Sequence, residues 1–156
     1  MKIFLKFFFL VFIILPFEAF SLEKGQWSFV KTDEYCYIGS LAVESDLSPE
    51  KKRGEFYILV YKNIGSPETI VQIEAGYDYK IGSDIKVNID TGSYFFYTTK
   101  DLPNVAWTEE DNKVIFAMKM GLEMVVTGES SRGTITNDVY TLKGFTASFN
   151  KLTEDC

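Results

Sequence analysis

The side chains that could do chemistry in this chain are few and restricted in kind. None of its 156 residues is histidine, which removes Ser-His-Asp and Cys-His catalysis, His-based zinc sites and imidazole acid–base work. Two distant cysteines, Cys36 and Cys156, fall short of a thiolate zinc site. No phosphate-binding glycine loop, dinucleotide fingerprint or calcium loop occurs. The sequence therefore assigns no catalytic residue, no metal ligand and no cofactor. Carboxylates remain, because two Asp or Glu residues facing each other across a cleft suffice for glycoside hydrolysis. Most charged positions alternate onto the wet faces of strands, however. Glu109, Glu110 and Asp111 already have a use at a helix N-terminus, where the dipole favours negative charge.

Binding chemistry has more candidates. In Gly128-Glu-Ser-Ser-Arg-Gly-Thr134, Arg132 with Ser130, Ser131 and Thr134 could hold a carboxylate or phosphate, since guanidinium offers a planar fork of donors. The competing reading is a hairpin connection in which Gly133 supplies a positive φ. It accounts for every residue except the arginine. Tyr77 and Tyr79 flank Asp78 in a turn that reads as exposed, and exposed rings stack on sugars or anchor protein interfaces. The run Tyr94-Phe95-Phe96-Tyr97 puts rings on both faces of a strand and reads mainly as core filling, with Tyr97 a further candidate for an aromatic concave surface.

These residues sit in a chain that reads as an export product. Lys2 and Lys6 with the amino terminus form a positive n-region, Phe7 to Leu15 is uninterrupted apolar, and Pro16 breaks the helix. Ala19 and Ser21 then supply small residues at the positions a signal peptidase reads. The run is too short for a membrane span, which needs about 20 apolar residues. The expectation is a cleaved signal over residues 1–21 and a single domain over 22–156, periplasmic or secreted, with no transmembrane segment after cleavage. No cysteine lies near the cut, so a lipoprotein is not expected.

The chain holds 16 basic and 22 acidic residues. Losing Lys2, Lys6 and Glu18 leaves 14 and 21, a net charge of −7. Such a balance argues against nucleic acid and against anionic lipid surfaces as partners. In an oxidising compartment the even pair Cys36 and Cys156 is expected to form a disulfide. The bridge would pin the last residue back to an early strand.

The elements that must position the candidates are mostly strands. Ile85, Val87 and Ile89 alternate with polar residues, as do Val71, Ile73 and Ala75, so each strand has one buried and one wet face. Phe56–Tyr61 is apolar on both faces and suits a central strand. Further strands are expected over Trp27–Lys31, Cys36–Val43, Tyr94–Thr98, Glu123–Gly128 and Thr134–Phe149. Thr108-Glu-Glu-Asp111 reads as a capping box that opens one short helix over about 109–120. Val114, Ala117 and Met118 share a face of it, Met118 and Met120 read as core, and a left-handed Gly121 closes it. The expected fold is all-β, an antiparallel sandwich of about eight strands with one short helix.

The run Ser131-Arg-Gly-Thr134 followed by Asp138-Val-Tyr-Thr-Leu-Lys-Gly-Phe-Thr-Ala147 resembles the C-terminal signature of the invasion-associated locus B family. The helix ending Ala117-Met-Lys-Met-Gly121 and the placement of Trp27 before Cys36 are similar too, and the likeness is strongest over residues 114–149. The resemblance implies a secreted or envelope-associated bacterial protein, an all-β sandwich and no established catalytic activity. It brings no catalytic or binding residues with it. The leading expectation is a non-enzymatic envelope component that binds a protein or ligand, its partner an envelope or host protein or a glycan. The alternative is a carboxylate-based glycoside hydrolase or a carbohydrate-binding module.

Overall fold

The period-two segments resolve into ten strands in two five-stranded sheets in a computed structural model that describes residues 21–156. The expected n-region and apolar run of the export signal lie outside the described residues. The first sheet runs β1 (Ser28–Lys31), β2 (Tyr35–Leu41), β4 (Tyr57–Asn63), β5 (Ile70–Glu74), β8 (Val105–Trp107) in spatial order. The second runs β3 (Glu44–Ser45), β10 (Ile135–Thr141), β9 (Glu123–Glu129), β6 (Ile85–Ile89), β7 (Gly92–Phe96). Neighbouring strands pair antiparallel throughout. The architecture is the expected sandwich. The extra strands are β3 and β8, too short to leave an alternation in the sequence.

Both sheets turn their alternating apolar residues inward to one core. Ile38, Ile58, Val60, Val71 and Ile73 come from the first sheet, and Ile85, Val87, Met124 and Val126 from the second. As expected, β4 is central, between β2 and β5. Its inward Ile58 and Val60 are fully buried while Tyr57, Leu59 and Tyr61 lie on the outer face, half-buried. Two corners join the sheets. The chain crosses from β2 to β3 with Val43 N–H donating to Val139 O at 2.7 Å, and Tyr97 and Trp107 exchange a pair of backbone hydrogen bonds at 2.9 Å.

The expected strand over 134–149 ends early. β10 stops at Thr141, and Phe145–Asp155 is a second helix, α2. Gly144 takes a left-handed φ of 87° that turns the chain out of the sheet. Phe145, Phe149 and Leu152 then recur at helical spacing and are all buried. Burial of such a side chain contributes about 1.5–3 kcal/mol, so the apolar stripe outweighs the β-like composition of the segment. Trp27 seats α2: its indole meets the Phe145 ring edge-on at 4.8 Å, and Ser148 Oγ donates to Trp27 O at 2.7 Å. The helix ends at Cys156, which is disulfide-bonded to Cys36 with the Cα atoms 5.9 Å apart.

The other helix, α1 (Asp111–Met120), forms where expected with different ends. Thr108 Oγ1 accepts from Glu110 N–H at 3.1 Å, but Asp111 does not reach back to close a capping box. Its carboxylate accepts from Val71 N–H at 2.7 Å instead, which docks the helix on the start of β5. Gly121 is extended (φ −88°, ψ 168°), not left-handed. What it supplies is space, because a Cβ there would lie 2.7 Å from Ile89 Cγ2. Val114, Ile115 and Met118 face the core, whereas Met120 is exposed rather than core as expected, and so is its neighbour Phe116. In the aromatic run, Phe96 is core, but Phe95 and Tyr97 are exposed because β7 is an uncovered edge strand.

Candidate ligand-binding cleft

Three connections converge at one end of the sandwich and enclose a cleft of about 690 Å3. The segment between β3 and β4 contributes Glu50, Lys51, Lys52 and Arg53; the turn after β5 contributes Gly76, Tyr77 and Asp78; the β9–β10 hairpin contributes Ser130, Ser131, Arg132, Thr134 and Thr136. Backbone contacts lock the three together. Gly54 N–H donates to Gly76 O at 2.8 Å, and Ser131 N–H to Asp78 O at 2.7 Å. Gly76 has φ 69°, and a Cβ on it would come 2.4 Å from Gly54 O, so only glycine allows this approach.

The floor is an inverted piece of strand. Along β10, Thr136, Asp138 and Tyr140 point inward and are buried, while Ile135 points outward and is exposed. A carboxylate at a core-facing position must be paired and hydrogen-bonded. Arg53 meets it with both terminal guanidinium nitrogens, Nη1 lying 2.9 Å from Oδ2, and each side chain of the pair is about 95% shielded (4% and 5% exposed). Nη2 also donates to Ser45 Oγ at 3.0 Å and Nη1 to Ala75 O at 3.3 Å. The Phe56 ring stacks under the guanidinium with its centroid 3.4 Å away. Tyr77 and Thr136 share a hydroxyl hydrogen bond of 2.8 Å beside this pair. Burial raises the Tyr77 phenol above its ordinary range and the Thr136 hydrogen bond only partly offsets that, so it stays a neutral hydroxyl.

The rim has opposite character. Ser130 and Gly133 close the hairpin: Gly133 has φ 80°, and Ser130 Oγ accepts from Thr134 N–H at 3.1 Å. Thr134 Oγ1 in turn accepts from Lys51 Nζ at 3.0 Å. The ion pairs among the described residues are Arg53–Asp138, Lys80–Glu129 and Lys113–Glu110. Lys51, Lys52 and Arg132 therefore carry no acidic partner there, and Asp78 carries no basic one.

Of the residues singled out in the sequence, Ser131, Arg132, Thr134 and Tyr77 line this one cleft. Tyr79 does not. It is 1% exposed beneath the cleft, packed edge-to-face on Tyr77 at 5.4 Å, and burial lifts its phenol far above the ordinary range. Its expected exposure fails because Gly128 opposite has no side chain: a Cβ there would sit 2.6 Å from Tyr79 Cε1, and that gap admits the ring. Tyr97 pairs with Trp107 at the sheet corner and is not part of the cleft lining, so no concave surface gathers all three tyrosines. Arg53, Asp138, Lys51 and Lys52 were not singled out. A second aromatic feature was missed as well. Tyr35, Tyr37, Tyr57 and Tyr61 share the outer face of the first sheet, Tyr37 directly opposite Tyr61. Their even spacing in the sequence was the available signal.

Carboxylates gather elsewhere. Glu68, Glu109, Glu110 and Asp111 line a hollow of about 700 Å3 at the start of α1. Asp111 is tied to Val71 N–H, burial nonetheless raising its carboxyl above the usual range, and Glu110 is paired with Lys113. No cluster of three or more Cys, Asp or Glu among the described residues is arranged to hold a metal.

The family model for the invasion associated locus B (IalB) protein matches residues 30–153 of the chain. The chain belongs to this family. The match spans all ten strands but part of β1, and both helices up to the last turn of α2, so it covers the cleft and most of α2, while Trp27 lies before its start. The family is one of bacterial exported proteins, and the disulfide is in keeping with an envelope or secreted location. Among solved structures, the chain is similar to the crystal structure of invasion associated protein b from Bartonella henselae. The TM-score is 0.59 at 14% identity, over 83% of this chain and 93% of that one. That likeness establishes a shared fold. No curated protein matches. No helix among the described residues is long and apolar enough to cross a membrane.

Proposed function

We propose that this member of the invasion-associated locus B family is exported by cleavage after residue 21. The mature domain would act in the periplasm or outside the cell as a non-enzymatic binding protein, with the cleft as its binding site. One observation carries the reading. Beneath the cleft Arg53 and Asp138 are paired and buried, while at its rim Lys51, Lys52, Arg132, Glu50 and Asp78 have no ion-pair partner among the described residues. Unpaired polar groups converging above a rigid, satisfied floor are what a ligand site of this size presents. The expected partner is an envelope or host protein or a glycan, and the acidic balance of the chain disfavours nucleic acid.

A photo-crosslinking residue in place of Ser131, compared with one in place of the exposed Lys86 on the outer face of the second sheet, tests this in native envelope or host-cell preparations. The reading expects a discrete adduct from position 131 and none from position 86. Equal capture at both, or none at either, contradicts it.

The second reading, a carboxylate glycoside hydrolase, draws on the acidic hollow at α1 and the raised Asp111 carboxyl. It requires an Asp111-dependent activity. Hydrolysis of aryl glycosides that Asp111→Asn abolishes, in a variant that remains folded, would install it in place of the binding role.

A further inference from the structure

Resting on the cleft as the binding site, we infer that its ligand is an anionic saccharide: a sugar whose carboxylate or phosphate sits among Lys51, Lys52 and Arg132 and whose neighbouring hydroxyls reach Asp78, Ser131 and Thr134. The charge count is the starting point. Arg53 is spent on Asp138, so the cleft offers three cations against two carboxylates, Glu50 and Asp78. Glu50 already accepts from Ser48 Oγ at 2.6 Å. A net positive hollow in a chain of net charge −6 selects for a negative group at that spot. Arg132 supplies the planar fork suited to carboxylate or phosphate, and Lys51 and Lys52 supply point charges beside it.

A bare anion leaves the rest of the lining unused. Asp78 accepts hydrogen bonds only, and a simple anion offers it none. Ser131 Oγ has no protein partner among the described residues, and the Thr134 hydroxyl, which accepts from Lys51, still has its own proton to donate. A sugar ring carries hydroxyls that donate to the carboxylate and accept from Ser131 and Thr134, so one acidic sugar satisfies both halves of the cleft. A volume of about 690 Å3 suits one or two rings. A polyanion is a poorer fit, because Asp78 and Glu50 face the same space. The fixed Arg53–Asp138 floor means that the site needs little rearrangement to bind.

The acidic group could come from a host-type sialylated or uronic glycan or from a phosphorylated envelope sugar, and the probes separate these sources. Oxidised protein, produced by export of the full chain, is titrated with sialyllactose, glucuronic acid, glucose phosphate, neutral lactose and glucose, and inorganic phosphate, following amide chemical shifts. At least one acidic sugar is expected to bind about tenfold or more tighter than its neutral counterpart, shifting Ser131, Arg132 and Thr134. Arg132→Ala with Lys52→Ala should lose that preference while the rest of the spectrum is unchanged. Asp78→Asn should weaken the sugar but not inorganic phosphate. Neutral and acidic sugars binding alike overturns the inference, as does phosphate matching the best sugar or the absence of any shift at the hairpin. If these probes fail while position 131 still crosslinks a partner, only the ligand class falls. If position 131 captures nothing either, the binding site falls with it.

Discussion

Along the β1–β2 side of the sandwich the structure is held by the apolar seam under α2 and, where Cys36 pairs with Lys62 at the close of β4, by a covalent bond. Trp27, Phe145, Phe149 and Leu152 are buried together, and the Cys36–Cys156 bridge spans a sequence separation of 120. At the cleft, where the chain enters β4, closure depends on a buried ion pair between residues 85 apart and on backbone contacts among three loops. The seam buries its rings and the Cys36 sulfur. The cleft leaves cations, hydroxyls and two carboxylates facing an open hollow. A covalent, greasy seam tolerates change at its surface, whereas a polar floor must be complete. The cleft can therefore hold free charges at its rim only because those below are fully matched.

The largest effect should come from breaking that match. Asp138→Leu leaves Arg53 buried and unpaired and should cost about 3–5 kcal/mol in denaturant unfolding. The double variant Arg53→Met, Asp138→Leu should recover most of it. If the single change is mild, the floor is not the buried structure described. Next, Cys36→Ser with Cys156→Ser should cost about 2–5 kcal/mol. Amide exchange should accelerate in α2 and leave the cleft hairpin nearly unchanged, and acceleration of both would merge the two regions. Gly128→Ala forces a methyl against Tyr79 and should cost about 1–3 kcal/mol by overpacking, with shifts spreading to Tyr77.

The smallest effect concerns pH. Asp46 accepts from both the side-chain and backbone N–H of Asn137, which lowers its carboxyl below the usual Asp range. A carboxyl depressed in the folded state stabilises above its unfolded value and loses that contribution as pH falls through its folded one. Acid unfolding of Asp46→Asn should therefore show a slightly shallower loss of stability below the ordinary Asp range. Asp46 is exposed, so the difference should be slight.

The sandwich was legible because period two survives in β5 and β6 and because the apolar run of β4 reads as a central strand. The second helix was not, since β10 and α2 join through three residues, and Phe145, Phe149 and Leu152 announce a helix only when read across the boundary. At the cleft, the hairpin candidates were visible because glycine and serine punctuate them. Lys51, Lys52 and Arg53 were not, because no spacing links them to a strand 85 residues on. One sign was present: in Ile135-Thr-Asn-Asp-Val-Tyr140, the alternation that buries Tyr140 also buries Asp138, and a buried carboxylate demands a cation. Tyr79 misled because its burial depends on the missing side chain of Gly128, a long-range fit that local sequence does not show.

The most direct test of the account separates rim from floor. Lys51→Ala, Lys52→Ala and Arg132→Ala combined should leave unfolding stability close to that of the parent, as exposed substitutions do, and should abolish capture by a crosslinker at position 131. Full capture by this folded triple variant would contradict the claim that the free charges of the cleft are its binding surface.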